Sequence, residues 1–285
     1  MAGQDTDLDG FVRLPNRGFL RLWGEDRLKF LQGLVSNDVN AAAPERTVYS
    51  CLLTPQGKFL HDFFLISDGD SLLIECEADR RADLAQRLRM YKLRSKIEIA
   101  EADYAVFAAF PAVEAPPDVI TYRDPRNVAL GVRMLLPAGA TIDHALLDFG
   151  AYDRLRIANA VPDGSRDMEV GKAILLENNI DLLNGIAWDK GCYTGQELTA
   201  RTRYRGLIKK RLVPVRIAGA TPAIGTPLIE SGAEIGEMRS ANGDLGLALL
   251  RLERLRRPEP IAIEGAVLTP EPPPALAALI VQPQE

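Results

Sequence analysis

The run Trp188-Asp189-Lys190-Gly191-Cys192-Tyr193-Thr194-Gly195-Gln196-Glu197 brings a thiol, an ammonium, a phenol and a carboxylate into one short stretch. Thr194 and Glu197 have the spacing of a capping box, in which the threonine oxygen takes the amide proton three residues on and the glutamate reaches back. The spacing predicts a helix start at Thr194. Cys192 would then precede a helix amino terminus and stand near Lys190, and both the helix dipole and an ammonium favour thiolate over thiol. Gly191 and Gly195 permit the tight backbone approach that presenting a reactive side chain or binding an anion requires. A buried filler cysteine beside an ordinary helix start is the competing reading, and on spacing alone it is the commoner one. Cys51 and Cys76 sit in strand-like apolar alternation and are expected to be inert.

Immediately downstream, Arg201, Arg203, Arg205, Lys209, Lys210 and Arg211 form a run of cations without an acid. Such a run suits a polyanionic ligand, since arginine grips carboxylates through paired bonds, although a solvated face is its usual meaning. No metal site is expected: the two histidines, His61 and His144, and the three cysteines are dispersed, with no CxxC or HxxxH pair. An odd number of scattered thiols points to a reducing compartment.

The chain of 285 residues carries 39 acidic and 34 basic side chains, for a net charge of -5, which argues against general nucleic-acid binding. Acids Asp5 and Asp7 stand where a targeting segment would be basic, and no apolar run reaches membrane-spanning length. A soluble protein of the cytosol, with neither nucleic acid nor membrane as partner, is the expectation.

Positioning these groups requires a scaffold. Leu28, Leu31, Leu34 and Val35 recur at helical spacing after Gly24-Glu25-Asp26, whose acids favour a helix start. Thr54-Pro55-Gln56-Gly57 and Ser67-Asp68-Gly69-Asp70 are turns, so residues 48–76 read as three antiparallel strands. Leu84, Leu88 and Tyr91 share a helical face over 79–91 and would cover that sheet, and Leu93, Ser95, Ile97 and Ile99 alternate as a following strand. Pro111, Pro116 and Pro117 break the chain, a strand is expected over 128–136, and a helix around 141–160. Helices and strands are segregated, favouring an α+β fold. After residue 206, glycine-punctuated apolar runs predict a small all-β domain of barrel form, and the last fifteen or so residues, with the prolines from 270 onward, read as a loosely held tail.

The octet Lys190 to Glu197 resembles the signature of the YgfZ-type proteins, folate-binding factors for iron–sulfur cluster assembly and repair that are related in fold to the aminomethyltransferase (T-protein) of glycine cleavage. Phe30 to Val39, Thr54 to Lys58, Tyr91 to Lys96, Asp124-Pro125-Arg126 and Arg156 to Pro162 resemble further blocks of that family. The resemblance implies a three-lobed aminomethyltransferase-like fold around a central channel: two interleaved α+β lobes over 1–206, a β-barrel over 207–270, and a tail over 271–285. It also implies tetrahydrofolate, or a derivative, in the channel. Cys192, Lys190 and Asp62 are then the candidate reactive groups, and Tyr193, Gln196, Glu197, Arg94, Arg201 and Arg205 the candidate folate contacts. The implied partners are folate and iron–sulfur assembly proteins or 4Fe–4S client enzymes.

Two departures from the T-protein pattern bear on activity. The paired aspartate of T-proteins matches His61-Asp62, so one acid is replaced, and Asn179 to Asn184 lacks the glutamate that T-proteins place on the pterin. A partly buried strand histidine without a ligand remains an open reading of His61. The expected function is therefore a tetrahydrofolate-binding accessory factor acting on clusters through Cys192. The alternatives are a folate-dependent one-carbon transferase using Asp62, and a binding module alone.

Overall fold

Two strands close together in sequence, β1 (Gly10–Arg13) and β2 (Arg17–Trp23), enter different sheets of the computed structural model, which describes residues 8–111, 119–140, 142, 144, 146–257 and 259–281. After α1 (Arg27–Gln32), the expected antiparallel run appears as β3 (Val48–Leu53), β4 (Phe59–Asp68) and β5 (Ser71–Glu77). Helix α2 (Arg81–Lys92) packs across it, and β6 (Glu98–Ala102) returns beside β2, giving the order β3-β4-β5-β2-β6. Strands β7 (Tyr104–Phe110), β8 (Ile120–Arg123), β9 (Val132–Pro137) and β10 (Leu146–Leu147) join β1 in a second sheet, β10-β1-β7-β9-β8. The strand β1 thus belongs with elements that follow the whole first sheet, which interleaves the two α+β lobes.

Helices α3 (Phe149–Ala158), α4 (Gly164–Asp167) and α5 (Gln196–Tyr204) lead to the third lobe. There β11 (Lys210–Gly219), β12 (Pro227–Glu230), β13 (Ala233–Asn242), β14 (Leu245–Arg251), the single turn α6 (Leu252–Leu255), β15 (Ile261–Ile263) and β16 (Ala266–Pro270) form an antiparallel barrel ordered β12-β13-β14-β11-β16-β15. The final helix, α7 (Pro274–Val281), inserts Leu276 and Ile280 into the barrel core. The prolines near 270 therefore do not open a loose tail: proline is compatible with a first helical turn, and the apolar face that follows has a place to bury.

Strand β4 is the hinge of the architecture because it is buried on both faces. Phe63 and Leu65 pack into the core beneath α2 with Leu84 and Leu88, whereas Phe64 and Ile66 enter the core shared with β7, β8 and β9. A register shift opposite Leu52 and Leu53 turns Phe59 to the same core as Phe64. Sequence alternation alone could not reveal this, since both parities are apolar.

Several local expectations are corrected. Helix α1 does start directly after Asp26, whose carboxylate accepts from the Lys96 amide at 2.8 Å, whereas other expected elements shift. Tyr91 is 39% exposed and not part of the covered face of α2. Leu93 lies in a turn with φ +44° and is 89% exposed, so the strand begins only at Glu98. Val128–Leu130 is a single 3-10 turn preceding β9. The helix expected from 141 starts at Phe149, where Asp148 accepts from the Gly150 amide at 2.7 Å. Pro116, Pro117 and the acidic residues 1–7 lie outside the described residues.

Candidate functional site

The loop that carries Cys192 is pinned at both sides. Lys190 donates from Nζ to the carbonyls of Val35 at 2.8 Å and Asn37 at 2.7 Å, and the Thr194 amide donates to the Gly33 carbonyl at 3.2 Å. Gly195 adopts φ +83°, and a Cβ there would stand 2.6 Å from the Thr54 carbonyl and 2.9 Å from the Gly57 Cα. Only glycine lets the loop press on the β3–β4 turn this closely.

This geometry corrects the expected capping box. Helix α5 starts at Gln196 with Gly195 at its cap position and no side-chain cap, because the left-handed backbone needed for the close approach displaces the start past Thr194. Cys192 accordingly lies outside the first turn, within which a helix dipole acts. The Lys190 ammonium is spent on two carbonyls, not on the sulfur. Its pKa is lowered to about 8 by partial burial, against the opposing pull of Asp38. Lys190 also stands 5.2 Å from the Tyr193 ring centre. Tyr193 turns inward, and burial pushes its phenol up to about 12.

Cys192 itself is exposed, whereas Cys51 and Cys76 are buried. Burial pushes the Cys51 thiol far up and that of Cys76 up to about 12, which makes both poor nucleophiles and ligands, as expected.

The cationic run does not form one patch. Arg203 stacks on Trp188 at 4.0 Å, Lys210 pairs with Glu234 at 3.5 Å, and Arg211 is buried with Asp181, at 2.8 and 3.0 Å. Arg201, Arg205 and Lys209 remain exposed, as does Glu197 on α5, while Gln196 is half-buried. Arg94 lies elsewhere, on a cleft of about 810 Å³ lined by Lys29, Phe30, Gly33, Leu34 and Tyr91. The structure places Lys190, Cys192 and Tyr193 on one loop and Gln196 at the start of α5, and among the described residues no side-chain hydrogen bond or ion pair joins Arg94, Arg201 or Arg205 to that loop.

Behind the loop, His61 and Asp62 point to opposite faces of β4. His61 is buried toward α2, where Nε2 contacts Asp83 at 2.8 Å; burial, with Arg80 assisting, lowers its pKa to about 4. It is a neutral structural histidine. Asp62 faces the inter-lobe core, accepts from the Tyr49 hydroxyl at 3.1 Å, and keeps Oδ1 buried without a partner.

Next to it is a group that sequence reasoning missed. Arg17, Arg126 and Arg133 surround the Phe64 ring at 5.5, 4.9 and 4.4 Å. Glu75 accepts from Arg17 at 3.0 Å and also bonds Arg133 and Tyr122, while Asp124 accepts from Arg126 at 2.8 Å and Arg133 at 3.1 Å. Burial alone would raise the Asp124 carboxyl, but the two guanidiniums hold it at about 2. The available signal was charge at strand positions otherwise occupied by apolar residues, Glu75 in β5 and Arg133 in β9. Asn179 and Asp181 are also absorbed structurally: the Asn179 amide donates to Ala160 and Leu212 carbonyls, and Asp181 holds Arg211.

Comparison with known proteins places this site in context. The chain is 34% identical to the human "Iron-sulfur cluster assembly factor IBA57, mitochondrial", over 89% of this chain and 81% of the relative. The homologue from Mycosarcoma maydis is 33% identical, over 86% and 74% of the respective chains. The chain belongs to the IBA57 family of iron–sulfur cluster assembly factors. Residues 209–278 match the family described as "CAF17, C-terminal beta-barrel domain". The fold is aminomethyltransferase-like: the glycine cleavage system aminomethyltransferase T of Bartonella henselae superposes with a TM-score of 0.74 at 11% identity, covering 95% of this chain and 87% of that one. Both IBA57 relatives are named mitochondrial, which overturns the cytosolic location expected from the sequence. Among the described residues, no cluster of three or more histidine, cysteine, aspartate or glutamate side chains could hold a metal ion, and no helix is long and apolar enough to cross a membrane.

Proposed function

We propose that this IBA57-family chain supports assembly or repair of iron–sulfur clusters by supplying the Cys192 thiolate as one ligand to a cluster whose other ligands belong to a second protein. The observation that carries this reading is the contrast among the cysteines: Cys192 is exposed on a loop fixed by Lys190, Thr194 and Gly195, and the other two are sealed in the core. A cluster normally takes four thiolates, so one accessible cysteine suits a shared or transient position between proteins, either an assembly protein or a 4Fe–4S client. Lys190 acts here as the positioning residue of the loop.

Tetrahydrofolate fits as a companion ligand at Asp62. The unpartnered Oδ1 is a buried acceptor of the kind a pterin N–H satisfies, and Tyr49 and Tyr193 supply aromatic surface in the same core. When bound, the folate would supply an amine centre able to carry a one-carbon unit. On the chain's side, Asp62 would orient the pterin, and Tyr49 would hold the Asp62 carboxylate in place through its hydroxyl. Arg94, Arg201 and Arg205 stand apart from this place and are not part of the proposed pterin contacts.

A one-carbon transferase is the second reading, favoured by the same free oxygen of Asp62 as a proton acceptor. The residue at the other acid position works against it, because His61 is neutral and turned to the opposite face of β4.

The test is rescue of a 4Fe–4S dehydratase in cells lacking the endogenous factor. Wild type should restore activity and Cys192→Ala should not; equal rescue by both sinks the thiolate role. For folate, calorimetric titration with tetrahydrofolate should show binding that Asp62→Asn weakens at least about tenfold, the scale for losing a charged hydrogen-bond partner. Binding unaffected by Asp62→Asn would remove the pterin from this place.

A further inference from the structure

The cleft that contains Arg94 has no role in the reading above, and its features are unlike those of an ordinary surface turn. Helix α2 ends and the chain reverses through Leu93, a non-glycine residue at φ +44° and ψ -108° whose side chain is 89% exposed. A left-handed conformation is unfavourable for a branched side chain, and an exposed leucine gains no burial to offset it. Met90 is 70% exposed and Tyr91 39%, so three large apolar side chains stand together in the solvent at the end of α2.

Charge adds a second observation. Lys92 and Lys96, on either side of the turn, are ion-paired with Glu98 at 2.8 Å and with Glu25, respectively. Arg94 between them, and Lys29 across the cleft on α1, have no ion-pair or hydrogen-bond partner among the described residues. The buried Phe30 and Leu34 line the cleft together with Gly33, and its one acid, Asp26, is engaged by the Lys96 amide at 2.8 Å. Gly33 connects the cleft to the loop of Cys192, because its carbonyl accepts from the Thr194 amide two residues past the cysteine.

From these features we infer that the cleft between α1 and the α2–β6 turn docks the protein that shares the cluster with Cys192, through an apolar side chain flanked by carboxylates. The inference rests on the proposed role of Cys192 and adds where the second protein binds and by what chemistry. Leu93 and Tyr91 are the apolar anchors, Arg94 and Lys29 meet the carboxylates, and the turn holds the Leu93 backbone so that its side chain already projects outward before binding. The occupant is a protein and not a small anion, because the exposed apolar side chains have nothing to gain from one.

The test uses the dehydratase rescue together with thermal unfolding of each purified variant. Leu93→Gly relieves the backbone conformation and should raise the melting temperature, yet lower rescue about tenfold, as loss of an interface anchor does. Arg94→Glu should leave the melting temperature unchanged and reduce rescue at least about tenfold, while Arg94→Lys retains most of it. Tetrahydrofolate binding and Cys192 alkylation should be unaltered in all three. Full rescue by Leu93→Gly or Arg94→Glu, in cells where wild type rescues and Cys192→Ala does not, overturns the docking surface and leaves the thiolate role intact. Equal rescue by wild type and Cys192→Ala instead removes the thiolate role on which the inference stands.

Discussion

The buried charges around Phe64 and the loop around Cys192 lie in the same molecule at opposite extremes of satisfaction. In the first, three guanidiniums, Glu75, Asp124 and two tyrosine hydroxyls consume one another's hydrogen bonds and bridge β2 and β5 of one lobe to β8, β9 and α3 of the other. In the second, the polar groups that have partners are those that fix the backbone, and the thiol is left open to solvent. A dense ionic cluster is what a functional site is often expected to look like, yet here it is the weld between lobes. The place proposed here for chemistry is the sparse one.

This contrast can be broken by substitution. Arg133→Met should have the largest effect on stability, costing about 3–5 kcal/mol in urea unfolding, because Glu75 and Asp124 would lose a buried counter-charge. A loss below about 1 kcal/mol would show that the cluster does not hold the lobes. Gly195→Ala should come next, at about 2–3 kcal/mol, since the new methyl meets backbone at a positive φ. It should also impair rescue by lifting the Cys192 loop; an unstrained variant with normal stability would contradict the close approach.

His61 gives a pH signature outside both regions. Its folded pKa of about 4 lies below the unfolded value of 6.5, so the unfolded chain binds the extra proton first as the pH falls. Stability should be fully present above pH 6.5 and decline by about 3 kcal/mol toward pH 4, a slope that His61→Gln reduces. An identical acid profile in the variant would show that His61 is not the group responsible. Cys192→Ala should have the smallest effect on stability, within about 0.5 kcal/mol, while abolishing rescue. A large stability change would place the thiol inside the weld and erase the comparison.

Much of the lobe containing β3, β4 and β5 was legible because tight turns have residue-type requirements and the intervening runs are apolar. The start of α5 was misread for an equally physical reason: Thr194 and Glu197 satisfy the local rule for a cap, but the Thr54 carbonyl and Gly57, distant in sequence, demand the left-handed Gly195 that overrides it. Leu93 was placed in a strand by alternation, and tertiary structure put it in a strained turn. Arg211 read as part of a solvated cationic run until Asp181 came beside it in the fold.

Readable from the residues alone were the segregation of helices and strands, the burial of Cys51 and Cys76 in strands, and the glycine-flanked stretch that bears Cys192. These follow from local periodicity and residue chemistry. It took the folded chain to show that the Lys190 ammonium holds the Val35 and Asn37 carbonyls, that His61 and Asp62 face opposite sides of β4, and that the six cations near Cys192 do not form one patch. Each of those outcomes depends on partners brought from far along the chain, and hydrogen-bond and charge satisfaction in a folded interior is settled by whichever groups arrive there.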